Sequence, residues 1–182
     1  MFEDFRIVIF CVALSDYDEY YEDASGVSIN RMMESKRLFE NIITHPTFKQ
    51  MDFLLILNKF DLFEQKIESS PLALCDWFSD FNPVSSRHRP TNNSNSNNRS
   101  NGRNHIGDAT KAQQAFHHVA VKFKRLFTSH TGRKLYVTQA EGLEQESVDS
   151  ALRYAREILK WEEERRPTNE FSSYDASTTT DH

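Results

Sequence analysis

Asn58, Lys59 and Asp61 put three polar side chains into four positions, directly after the apolar run Phe53 to Leu57. An apolar run that stops so abruptly reads as a central parallel strand whose carboxyl end carries a site, the place where open α/β sheets hold ligands. The carboxylate of Asp61 can accept two coplanar hydrogen bonds. That matches the ring N–H and exocyclic amine of guanine, and adenine presents neither donor on that edge. A site so built leaves a charge unpaired against the wrong base, which puts discrimination of roughly 10⁴-fold within reach. Lys59 can lay its methylene stem along a flat ring, and Asn58 can tie neighbouring loops together. Asn and Asp are also ordinary turn residues, so on these four positions alone the two readings stand level.

Other candidate constellations are weaker. Gly102 and Gly107 have the glycine spacing of a phosphate loop, but Asp108 and Ala109 stand where its lysine and hydroxyl belong, and no strand precedes them. Asp23 and Gly26 mimic a magnesium-side D-x-x-G, but they follow an acidic loop rather than a strand. Asn98 and Ser100 fit a glycosylation acceptor that has no secretory signal to give it meaning. His117 and His118 are adjacent on a predicted helix and point to different faces, while His88 and His105 fall in a polar tract, so solvated polar roles are expected and no metal site. Cys11 and Cys75 lie among apolar residues and read as buried reduced thiols. Trp77 and Trp161 read as packing residues.

The elements that must position the Asn58–Asp61 group alternate. Phe5 to Leu14, rich in β-branched residues, predicts a strand buried on both faces. An acidic loop follows. Ile29, Met32, Met33, Phe39, Ile42 and Ile43 share one helical face, and that helix must stop at His45 because Pro46 disfavours a helical residue before it. After the strand at Phe53 to Leu57 come a short helix and a further helical turn past Pro71. Ala112, Phe116, Val119, Ala120, Phe123 and Phe127 predict a long helix, Arg133 to Gln139 a third strand, and Val148, Ala151, Leu152, Ala155, Ile158 and Leu159 another long helix. Three strands and three long helices in β-α order imply an α/β fold with a parallel sheet and right-handed crossovers. The domain is assigned to residues 1–81 and 109–166. Residues 82–108, Asn/Ser-rich, read as a disordered insertion and 167–182 as a disordered tail.

At 182 residues with 38% hydrophobic content, the chain can bury one core, and its net charge of −5 argues against a nucleic-acid surface. The apolar stretch at Ile7 to Leu14 is far short of the ~20 residues of a membrane span. It also follows Glu3 and Asp4, where a signal peptide would be basic. A soluble cytoplasmic or nuclear protein is expected.

The segments "FEDFRIVIFCVALSDYDEY", "NRMMESKRLFENII" and "FLLILNKFDLFEQKIESSPL" resemble consecutive parts of heterotrimeric G-protein α subunits, and "REILKWEEERRP" with the Asn/Ser-rich insertion resembles their extra-large plant branch. The resemblance implies the carboxyl-terminal half of a P-loop-type GTPase domain acting in signal transduction and binding GTP or GDP. Asn58, Lys59 and Asp61 would be its guanine-recognition motif. Thr138, Gln139 and Ala140 would be the second base-contacting loop, with the Ala140 backbone N–H on the guanine carbonyl and Gln139 where the family ordinarily has cysteine. Glu19 to Ser28 would be the third nucleotide-sensitive switch. The family hydrolyses GTP with Mg²⁺, but the 182 residues contain no phosphate loop, catalytic arginine segment or magnesium ligands, so hydrolysis by this chain alone is not expected. A G-protein βγ dimer and receptor or regulator proteins are the implied partners, with peripheral attachment at the plasma membrane through them. The alternative is an interaction fragment of the same network that binds no nucleotide.

Overall fold

A computed structural model describes residues 6–84 and 109–165. Residues 85–108 of the expected insertion and the whole of the expected tail lie outside the described residues. In chain order the elements are β1 (Ile7–Ala13), β2 (Tyr20–Glu22), β3 (Ser28–Asn30), α1 (Arg31–Thr44), β4 (Asp52–Asn58), α2 (Phe60–Ile67), α3 (Lys111–Thr131), β5 (Tyr136–Gln139) and α4 (Gln145–Arg165). Strands β1, β4 and β5 form a parallel sheet in the order β1-β4-β5, as the α/β reading requires.

Strand β4 is the axis of the molecule. Because side chains alternate along a strand, Phe53, Leu55 and Leu57 enter the core beneath α1, α2 and α3, while Leu54 and Ile56 enter a second core under α4. In the larger core Phe39 of α1 packs edge-on against Phe123 of α3, with ring centroids 5.4 Å apart, and against Phe53 at 6.4 Å. The smaller core is closed by Ala151, Ala155 and Ile158. Its alanines let α4 approach the sheet closely.

Three expectations need correction here. Strand β1 was expected to be buried on both faces, yet Ile9 is 40% exposed and Cys11 is exposed. Helix α4 lies over β4 and β5 and reaches only Ile7 of β1, so the face of β1 that carries Ile9 and Cys11 is only partly covered among the described residues. The buried thiol expected at Cys11 fails for the same reason, whereas Cys75 is fully buried. Ile29 does not belong to the α1 face. It lies in β3, because Asn30 ends that strand and caps the helix, its Oδ1 accepting from the Met33 N–H at 3.0 Å and its Nδ2 donating to the Tyr17 carbonyl at 2.8 Å.

Gln114 of α3 holds the two segments that flank residues 85–108. Its side-chain carbonyl accepts from the Val84 N–H at 2.8 Å, and its amide nitrogen donates to the carbonyls of Val84 and Ala109 at 3.2 and 2.9 Å. The neck of the expected insertion is thereby pinned to α3.

Candidate functional site

Parallel register brings the carboxyl ends of the strands together: Ala13 pairs with Asn58, and Leu57 with Gln139. Asn58 is the last residue of β4, and Asp61 lies in the first turn of α2. Lys59 joins the two in a left-handed conformation, φ 60° and ψ 42°, and no other non-glycine residue among those described has a positive φ. This backbone turns the chain sharply from strand to helix within one residue.

The Asn58 side chain folds back to accept from the Lys59 N–H at 2.8 Å. It also lies against the loop after β5, where a Cβ built at Gly142 would meet its Nδ2 at 2.9 Å. Asn58 therefore packs the end of β4 onto that loop, and a side chain at 142 would have to push its amide aside. Lys59 is half-exposed, with its Nζ 3.9 Å from Asp16 Oδ1. Asp61 is half-buried and makes no hydrogen bond or ion pair among the described residues, so its carboxylate oxygens are open to a ligand. The helix N-terminus beneath it favours the negative charge.

Ala140, the fourth residue singled out, is buried just past β5, and its N–H donates to the Leu57 carbonyl at 2.9 Å, extending the sheet ladder. The donor assigned by resemblance to the guanine carbonyl is thus engaged with the protein in this structure. The next N–H, of Glu141, is held by Ser147 Oγ at 2.9 Å. Loss of solvation, then the neighbouring carboxylates of Glu144, Asp61 and Glu64, push the Glu141 carboxyl above the ordinary carboxylate range. Neither Glu141 nor Gly142 was singled out in the sequence, though a glycine two residues beyond a base-contacting loop, in a chain with only five, was a usable signal.

The acidic loop is ordered as a hairpin, β2 pairing antiparallel with β3. At its tip Asp23 Oδ1 accepts from the N–H groups of Ser25 and Val27 at 2.8 and 3.0 Å, and Gly26 takes a φ of 80°. These contacts give the D-x-x-G pair a purely local role as a turn. A one-residue latch ties the base of the loop to α2. Lys66 Nζ donates to the Ser15 carbonyl at 3.0 Å, to Asp18 Oδ1 at 2.7 Å and to Glu19 Oε1.

His118 is not the solvated residue expected. Its ring packs against Phe78 and Phe81, and its Nε2 lies 3.3 Å from Asp80 Oδ1, which Lys122 also holds at 2.8 Å. The described surface carries depressions, among them the following two. One, of about 320 Å³, lies between the hairpin and α1 and includes Asp16; the other, of about 700 Å³, lies along α3 beside Asp80. Neither is lined by Asn58, Lys59 or Asp61. Among the described residues no group of His, Cys, Asp or Glu is arranged to hold a metal ion, and no helix is long and apolar enough to cross a membrane.

Comparison with known proteins agrees with this arrangement. The profile of the family described as G-protein alpha subunit matches residues 1–159. Extra-large guanine nucleotide-binding protein 1 of Arabidopsis thaliana is 52% identical over 176 residues, covering 96% of this chain and 18% of that protein. Extra-large guanine nucleotide-binding protein 2 of the same plant is 47% identical over 88% of the chain and 18% of that protein. The guanine nucleotide-binding protein alpha-1 subunit of Glycine max is 36% identical, over 88% of the chain and 37% of that protein. The chain thus spans under a fifth of the extra-large relatives' length. Matched by the family profile over residues 1–159 and by these relatives over most of its length, the chain belongs to the G-protein α-subunit family.

Proposed function

We propose that this chain supplies the base-recognition face of a guanine-nucleotide-binding signalling protein, with Asp61 reading the guanine edge, Lys59 lying along the base and Asn58 holding the two loops together. The observation that carries the reading is the strained Lys59 turn beside an unpaired Asp61 carboxylate. A left-handed non-glycine residue costs about 1–2 kcal/mol, and such strain concentrates at functional sites. An ordinary strand-ending turn gains nothing from lysine there. The Ala140 N–H joins the base contacts only by leaving the Leu57 carbonyl. GTP and GDP are the proposed ligands, and Mg²⁺ and phosphate contacts fall to residues beyond those described. A βγ dimer and receptor or regulator proteins are the proposed partners.

The engaged Ala140 N–H favours a second reading, an interaction fragment that binds no nucleotide. Competition between guanine and xanthine nucleotides separates the two. In Asp61→Asn the side-chain oxygen still accepts from the ring N–H, while the amide nitrogen donates to xanthine's second carbonyl but faces guanine's amine donor to donor. An unmatched polar group costs about 1–3 kcal/mol, so relative affinity should reverse by at least about tenfold. Base contacts alone give affinities near the millimolar range, within reach of titration by NMR. If neither nucleotide shifts the resonances of Asn58 to Asp61 in the wild type, the interaction reading stands instead.

A further inference from the structure

We propose that Ser70 is a phosphorylation site for a proline-directed protein kinase, and that the added phosphoryl group opens the latch between the acidic loop and α2. Of the chain's five prolines only Pro71 follows a hydroxyl residue, so Ser70-Pro71 is the single Ser/Thr-Pro dipeptide in the sequence. It lies on a surface turn just past α2. Ser70 is half-buried between exposed Ser69 and exposed Pro71, and Pro71 is extended at φ −64°, ψ 136°.

The hydroxyl of Ser70 is part of the latch. Its Oγ donates to Asp18 Oδ2 at 2.6 Å, and the Ser70 carbonyl accepts from the Tyr17 hydroxyl at 2.6 Å. Asp18 takes Lys66 on its other oxygen, and Lys66 in turn holds Glu19 and the Ser15 carbonyl. The Lys66 ammonium and the hydroxyls of Ser70 and Tyr17 therefore join the turn Leu14–Asp18 to the helix that begins at the candidate base site and to the turn after it. The charges already run to two carboxylates against one cation.

In the modification, Ser70 Oγ attacks the γ-phosphorus of ATP. The Oγ–P bond forms as the bond to the bridging oxygen breaks, ADP leaves, and the hydroxyl proton passes to a carboxylate of the kinase. The product replaces the donor facing Asp18 with acceptor oxygens carrying close to two negative charges. Asp18 loses its Ser70 bond and faces a dianion. Lys66, the latch's one cation, cannot neutralise Asp18, Glu19 and the phosphate together. The loop end at Asp18 and Glu19 is the part repelled, because Ser70 and Lys66 share one segment.

The test does not depend on the proposed guanine-nucleotide binding, since both readouts are taken without GTP or GDP. The full chain is treated with a proline-directed kinase and ATP, phosphate is mapped by mass spectrometry, and amide exchange is followed over residues 14–22. Phosphate is expected on Ser70, absent in Ser70→Ala and in Pro71→Ala, with exchange over 14–22 about tenfold faster in the modified chain, the loss of one charge-assisted hydrogen bond. Pro71→Ala keeps the hydroxyl, so its untreated exchange should match the wild type. Failure of the folded chain to accept phosphate where a peptide of residues 66–75 does would overturn the proposal. So would phosphate on Ser70 with exchange unchanged.

Discussion

Lys59 meets two demands, and they pull in opposite directions. In the proposed function its side chain lies over a base, yet its backbone at φ 60° is one that glycine adopts freely and lysine does not. Lys59→Gly should therefore leave stability unchanged or raise it by up to about 1 kcal/mol, the relief of strain set against the extra freedom of the unfolded chain. The same substitution should weaken binding of guanine nucleotide. Denaturant titration and nucleotide titration of one preparation check both halves, and a stability loss above about 1 kcal/mol would make the side chain structural. Asn58, Lys59 and Asp61 stand out in the sequence as candidates because side-chain chemistry and spacing are local, whereas Ala140 came only from the family resemblance. The direction of the Ala140 N–H was not legible there, because it follows from the register of β5 on β4, which no four-residue motif contains.

The latch belongs to the scale of elements, since it joins a 3-10 turn to the last turn of α2. Burial pushes the Asp18 carboxyl up, but hydrogen bonds from Lys66 and Ser70 outweigh it and hold the group below its ordinary value of 3.8. Burial pulls the Lys66 ammonium down, but Asp18 and Glu19 outweigh it and lift the group above its ordinary 10.5. A depressed carboxylate stabilises the fold fully above its ordinary value and loses that contribution as pH falls through the folded one. A raised ammonium contributes fully below its ordinary value and loses it as pH rises through the folded one. The latch thus works across the window between those two limits. Lys66→Met should cost about 1–2 kcal/mol at pH 7, and the difference from wild type should shrink in acid once Asp18 is protonated, leaving the bond to the Ser15 carbonyl. Denaturant midpoints at pH 7 and in acid give the comparison; an equal loss at both would mean that Lys66 contributes by packing. The elements that the sequence made plain are the long periodic ones, the helices carrying Phe39, Phe123 and Ile158 and the unbroken apolar strand β4. The hairpin was hidden because β2 and β3 are three residues each and mostly polar, so they carry no period to read.

At the scale of the whole molecule, what the apolar run at Phe5 to Leu14 could not reveal was which of its faces the rest of the chain would cover. Strand β1 pairs with β4 alone among the described residues, so its other edge presents backbone donors and acceptors beside exposed Ile9 and Cys11. An open, apolar strand edge is a template for another chain. The overall charge of −5 opposes contact between copies only weakly, because at physiological salt it is screened over about 8 Å. The chain on its own should therefore associate as its concentration rises, and Ile9→Lys should suppress this by placing a charge that a second copy would have to bury. Sedimentation velocity over a concentration series, run for both proteins, measures the effect. The substitution should cost little stability, since Ile9 gives up a half-exposed position rather than a core one. A wild-type chain that stays monomeric throughout and unfolds in one cooperative step would mean that this edge is not open in solution.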